Sequence, residues 1–218
     1  MHKVDIDKVL SILKREVGHY KVPVVDLVKI QTDDPFKVLV ATILSARTND
    51  RTTTDACKRL FDVVKKPSDL SRIELKKLER LIYPVGFYRN KARYLRQLPN
   101  ALKEKFDNSI PHTVEQLLEL PGVGRKTANL VVAVAFNKPA ICVDVHVHRI
   151  MNRLGYVRTK NPFETEMALR AKLPNKYWTT FNSILVAFGQ HLCRPVGPKC
   201  SICPVRSQCN RIGVRNPR

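Results

Sequence analysis

Apolar residues recur along this chain at helical spacing, and most runs are bracketed by start or stop signals. Ile6, Val9, Leu10 and Leu13 form one stripe, and Gly18 ends that segment. Phe36, Leu39, Val40, Ile43 and Leu44 form a second, behind Asp33, Asp34 and Pro35. Proline has no amide to leave unsatisfied, so Asp before Pro opens a helix well. Three further helices are predicted to start on capping motifs. Ser71-Arg72-Ile73-Glu74 precedes Leu75, Leu78 and Leu81; Thr113-Val114-Glu115-Gln116 precedes Leu117, Leu118 and Leu120; and Asn161-Pro162-Phe163-Glu164 offers Asn161 as a cap. A last helix is predicted over residues 177–192, with Phe181, Ile184, Leu185 and Phe188 on one side. Strand-like alternation is absent over any convincing length. Val22 to Val28 is rich in β-branched residues, but Pro23 and the short length predict a connector. The fold class is therefore all-α, with helices of about 8 to 16 residues and no repeat or long linker.

Composition narrows the function. Hydrophobic residues make up 44% of 218, which supports a real core and excludes wholesale disorder. That length permits one large domain or two small ones. Lys and Arg number 39 against 19 Asp and Glu, a formal net charge of +20. A fold gains nothing from such an excess, and nucleic acid is the leading anionic partner. No acid follows Glu166, while basic residues continue from Arg170 to Arg218. No apolar run approaches a membrane span; the longest is Leu130 to Phe136. The start, Met1-His2-Lys3-Val4-Asp5, lacks a secretory signal, so the expected setting is cytoplasmic and away from any membrane. In a reducing compartment, the six cysteines are better metal ligands than disulfide partners.

Four of those cysteines cluster. Cys193, Cys200, Cys203 and Cys209 are spaced Cys-x6-Cys-x2-Cys-x5-Cys. Thiolates this close in sequence converge on one soft metal centre. Zinc sites usually pair two Cys-x2-Cys knuckles, and only one is present here. Uneven loops suit an iron–sulfur cluster better, though spacing alone leaves both open. The loop between Cys193 and Cys200 carries Arg194 and Lys199, cations that a metal-pinned loop would present rigidly to phosphates. Cys57 and Cys142 sit in apolar company and read as small core residues.

The stretch from Leu120 to Asn129, Leu-Pro-Gly-Val-Gly-Arg-Lys-Thr-Ala-Asn, reads as a helix-hairpin-helix. Pro121 stops one helix, Gly122 and Gly124 permit a tight turn at positive φ, and a second helix starts near Arg125. Such a turn aims backbone amides at a phosphate without sequence preference. Lys126 lies in the first turn of the second helix. It reads either as one more phosphate contact or as a nucleophile, since a positive helix end and Arg125 both disfavour an ammonium. Asp144 follows the apolar run Ile141-Cys142-Val143 and reads either as a plain helix cap or as a carboxylate that assists the lysine and a cationic sugar. His146 and His148, two residues apart, do not share a helix face and are not a metal pair.

Hairpin, aspartate and cysteines, in this order and spacing, resemble the endonuclease III family of DNA glycosylases with lyase activity. The resemblance runs from about Pro35 to Cys209. It implies that Lys126 attacks C1′ and forms a Schiff base, that Asp144 is the catalytic aspartate, and that the four cysteines hold a [4Fe–4S] cluster. It implies DNA contacts from Gly122, Val123, Gly124, Arg125 and Thr127 in the hairpin, with His146, Arg194 and Lys199 as further contacts. Ile43 to Asp50, with Arg47, resembles the loop that enters the duplex at the lesion, and Val85-Gly86-Phe87-Tyr88 the loop whose Phe87 wedges the stack. Where Arg47 stands the family usually carries Gln; Arg adds charge and length and bears on the opposite-base preference. The family's fold implies a six-helix barrel over residues 26–138 and an iron–sulfur domain from 1–25 and 139–218, with the DNA cleft and both catalytic residues between them. A single cleft implies a monomer. The expected activity is removal of oxidised pyrimidines from duplex DNA with strand cleavage. A mismatch glycosylase of the same superfamily would generally lack Lys126, and the adenine type carries an extra C-terminal domain. A non-catalytic hairpin protein would leave Lys126 and Asp144 as coincidence.

Overall fold

The computed structural model describes residues 3–20 and 23–218. Met1 and His2 of the predicted signal-free start, and Val22 of the predicted connector, lie outside the described residues. The helices in chain order are α1 Ile6–Val17, α2 Val24–Thr32, α3 Pro35–Ser45, α4 Asp50–Val63, α5 Pro67–Arg72, α6 Leu75–Ile82, α7 Tyr88–Phe106, α8 Val114–Leu117, α9 Arg125–Phe136, α10 Val145–Leu154, α11 Pro162–Lys172 and α12 Phe181–His191. Among the described residues there is no strand, and no helix is long and apolar enough to cross a membrane. Two units divide the chain: Val24–Lys138, and Met1–Pro23 with Pro139–Arg218.

In the unit Val24–Lys138, α3 and α9 are buried on nearly every face and pack on each other. A helix apolar all round belongs at the centre of a core, and α2, α4 and α7 pack against α3. Two of this unit's eight helices, α5 and α8, are short turns of six and four residues, which leaves six longer ones. In the other unit, α1 returns to pack on α12, which also packs on α10. Leu10, Leu13, Ile150, Met151, Leu185 and Phe188 share its core. Cys57 and Cys142 are buried in apolar surroundings, 3% and 1% exposed.

Caps explain most of the boundaries. Asp34 accepts from Phe36 N (2.9 Å), Thr113 from Gln116 N (3.3 Å) and Asn161 from Glu164 N (2.9 Å), as the sequence predicts. Three expectations are corrected. The connector at Val24 is helix α2: three valines in a helix cost about 2 kcal/mol in propensity, but Val24, Val25 and Val28 are buried, each worth about 1.5 to 3 kcal/mol. Ser71 does not open α6 but closes α5, its hydroxyl donating to Ser68 O at 2.8 Å. That earlier turn is set by Pro67 and by Asp69, which accepts from Lys65 N and Lys66 N. The last helix starts at Phe181, not Tyr177. Tyr177 donates to Asp7 and Trp178 to Leu173 O, and these bonds hold a 3-10 turn ahead of α12.

Candidate functional site

The hairpin is shorter than its leucines suggest. α8 is a single turn, and Leu117, Leu120 and Val123 face the core while the chain turns toward α9. The turn closes through Val123 N to Leu120 O at 3.2 Å. Gly122 has φ 76°, and a Cβ there would lie 2.5 Å from the Tyr94 ring of α7. Gly124 is different from the expectation: its φ is −97°, an extended cap residue of α9 rather than a positive-φ turn. A Cβ at Gly124 would meet nothing within 4 Å. Arg125 and Lys126 follow, both exposed, where α9 directs its first amides outward. Val123 and Thr127 are each only 8% exposed, their side chains turned inward. As candidate DNA contacts they therefore offer main chain only, Val123 from the turn itself and Thr127 from the start of the continuous buried run Thr127–Ala135 of α9.

The two candidate duplex-entering loops meet in the same unit. α3 ends at Ser45, and Arg47 follows at φ 54°; Phe87 caps α7 at φ 58°. Both side chains are exposed, and the Arg47 guanidinium lies 5.3 Å above the Phe87 ring, a cation–π geometry. Gly86 N donates to Thr48 Oγ1 at 3.1 Å, and a Cβ on Gly86 would come within 2.5 Å of Arg47 O. Beneath them Lys91, 6% exposed, donates to Leu44 O (2.9 Å), Ala46 O (2.5 Å) and Thr48 Oγ1 (3.3 Å). Burial lowers the Lys91 ammonium to a pKa of about 8. Arg47, Phe87, Lys91, Tyr94 and Gly122 all line one open cavity. Nothing in the sequence flags Lys91, which sits between Arg89 and Arg93 and reads as one more solvated cation.

In the other unit Asp144 stands at the start of α10, behind the buried run Ile141-Cys142-Val143. Its Oδ1 accepts from His146 N and Val147 N, both at 2.9 Å, so it does cap the helix. His146 is half-buried, with Nδ1 3.1 Å from Arg149 Nη2. His148 turns instead to Thr165 Oγ1 at 2.7 Å. Arg149 also donates to Cys193 O and Gly189 O, tying α10 to the start of the cysteine loop. Sequence reasoning passed over Arg149 for the same reason as Lys91.

All four clustered cysteines are free thiols around one cavity, walled also by Ile150, Leu154, Phe188, Leu192 and Val205. Arg153 Nη1 approaches Cys193 Sγ at 3.5 Å, and Arg211 N donates to Cys209 Sγ at 3.4 Å. Burial, reinforced by the neighbouring thiols, raises Cys203 to a pKa of about 11 and also raises Cys209. Among the described residues no three His, Cys, Asp or Glu gather closely enough for a single ion. Four thiol donors around one cavity fit the Cys₄ ligation of an iron–sulfur cluster. Arg194 is exposed and Lys199 half-buried on the same loop.

Residues 40–175 match the HhH-GPD superfamily of base excision DNA repair proteins. The chain is 47% identical to Endonuclease III of Thermotoga maritima over 176 residues, covering 81% of this chain and 83% of that protein. It is 40% identical to Endonuclease III of Bacillus subtilis over 186 residues, 85% of each. A solved non-covalent Endonuclease III–DNA complex superposes with a TM-score of 0.85 at 35% identity, covering 94% of both chains. A trapped Endonuclease III–DNA covalent intermediate, an estranged-adenine complex, superposes at 0.77 with 36% identity, covering 86% of this chain and 93% of that one.

Proposed function

The chain belongs to the endonuclease III family of the HhH-GPD superfamily of base excision DNA repair proteins, and from that membership we propose that it excises oxidised pyrimidines from duplex DNA and then cleaves the strand through Lys126. It is a DNA glycosylase with abasic-site lyase activity. The observation that carries the residue assignment is the exposed Lys126 in the first turn of α9, directly after an open glycine cap. That turn seats a phosphate by its amides and leaves an amine beside the sugar. Lys126 Nζ attacks C1′, the base departs, and the resulting Schiff base lets the 3′ phosphate leave by β-elimination. Asp144 supplies the carboxylate that assists deprotonation and balances charge on the sugar as the base leaves. Arg47 and Phe87 fill the stack that the flipped nucleotide vacates. The protein acts as a monomer.

Cys193, Cys200, Cys203 and Cys209 would hold a [4Fe–4S] cluster. When bound, that cluster pins the loop carrying Arg194 and Lys199, which contact the phosphate backbone. Borohydride trapping tests the proposal. Duplexes bearing thymine glycol or an abasic site are incubated with protein and reduced. A covalent adduct with the glycol duplex, absent in Lys126→Gln while DNA binding persists, is the expected result. An adduct surviving in Lys126→Gln removes that lysine from the chemistry. An adduct with the abasic duplex alone removes oxidised pyrimidines as substrates.

A further inference from the structure

We infer that Lys91 is a positioning residue that locks the Arg47 loop and the Phe87 loop into one rigid wedge. The inference rests on the proposed function, which has those two side chains enter the duplex. An ammonium has three protons, and here they go to Leu44 O, Ala46 O and Thr48 Oγ1. The two carbonyls lie at the C-terminal end of α3, where the helix leaves acceptors and partial negative charge. Thr48 Oγ1 in turn accepts from Gly86 N, so the ammonium reaches the second loop through a single hydroxyl. Lys91 N also donates to Phe87 O at 3.1 Å, placing the ammonium one helical turn from the wedge residue.

Two further observations point to position rather than bulk stability. Burying an ammonium is costly, and an apolar side chain would fill the same volume more cheaply. Arg47 and Phe87 both hold left-handed backbone, at φ 54° and 58°. Side chains of that size avoid this region, and such strain persists only where surrounding contacts over-determine it. The contacts on these two residues' neighbours, Ala46, Thr48 and Gly86, are the ones that converge on Lys91.

Opening a base stack needs a wedge; attacking a sugar in a single strand does not. The test is therefore borohydride trapping at an abasic site in duplex DNA and in a single strand, compared for wild type, Lys91→Met, Lys91→Arg and Thr48→Val. The expected result is a fall of about tenfold or more in the duplex-to-single-strand ratio for Lys91→Met. Thr48→Val should fall in the same direction by less, and Lys91→Arg should recover part of the ratio. Thr48→Val removes only a hydroxyl, so it keeps the ratio readable if Lys91→Met does not fold. A 2-aminopurine opposite the abasic site should lose its fluorescence rise on binding. The Lys91→Met, Thr48→Val double variant should fall by less than the two single losses combined, because the Lys91–Thr48 bond is common to both. An unchanged ratio in both variants overturns the inference, as does an equal loss on both substrates. Absence of any wild-type adduct would instead overturn the parent reading.

Discussion

Gly122 and Gly124 look interchangeable in the sequence, but the fold requires a glycine only at the first. At Gly122 both the backbone, φ 76°, and the Tyr94 ring exclude a side chain. Gly122→Ala is expected to lower stability by about 1 to 3 kcal/mol, read as a shift in the denaturant midpoint. Gly124 has open space around it and ordinary backbone. Gly124→Ala should cost a few tenths of a kcal/mol to about 1 through the weaker cap. Its larger effect should be on DNA affinity, because the added methyl would stand in the phosphate seat proposed for this turn. Paired melts and fluorescence-anisotropy titrations separate the two, and a Gly124→Ala protein with unchanged affinity would remove that turn from the interface. The left-handed conformations of Arg47 and Phe87 have no sequence signature at all, since neither residue type favours them.

At the scale of elements, α10 carries an ambiguity that the sequence left open and the geometry sharpens. Asp144 is a true cap, with two amides on Oδ1, and a cap needs only an acceptor oxygen. Asn caps as well as Asp. Asp144→Asn should therefore keep stability to within about 0.5 kcal/mol while excision falls by two orders of magnitude or so. Asp144→Ala should lose about 1 kcal/mol as well. Full activity in the Asn variant would return Asp144 to a purely structural role. The same helix holds Arg149, whose bonds to Cys193 O link the cap to the cysteine loop. That link spans forty-four positions of sequence, a separation at which periodicity carries no information.

At the scale of the molecule, the formal charge of +20 makes a prediction about salt. Each phosphate neutralised releases counterions, so affinity for duplex DNA should fall linearly on a log–log plot with ionic strength. Six to ten phosphate contacts would lose roughly 10³ to 10⁵ in affinity between 50 and 200 mM salt. Arg194→Ala should reduce the slope by about 1 with little change in lesion preference. A slope unchanged in Arg194→Ala would place the cysteine loop away from the backbone. Arg47→Gln makes a useful contrast, since it should alter opposite-base preference more than slope.

Helical class, most of the caps and the hairpin were legible because each depends on neighbours in sequence: a cap needs a side chain within three residues, and a helix stripe needs a period. The clustered cysteines were legible for the same reason, four thiols lying within seventeen positions. The helix at α2 was not, because its valines oppose helix locally and only their burial against α3, α4 and α9 reverses the balance. Nor were Lys91 and Arg149. Their chemistry comes from carbonyls that arrive from 40 to 47 residues away, and a buried cation differs from a solvated one only in what the tertiary structure packs around it.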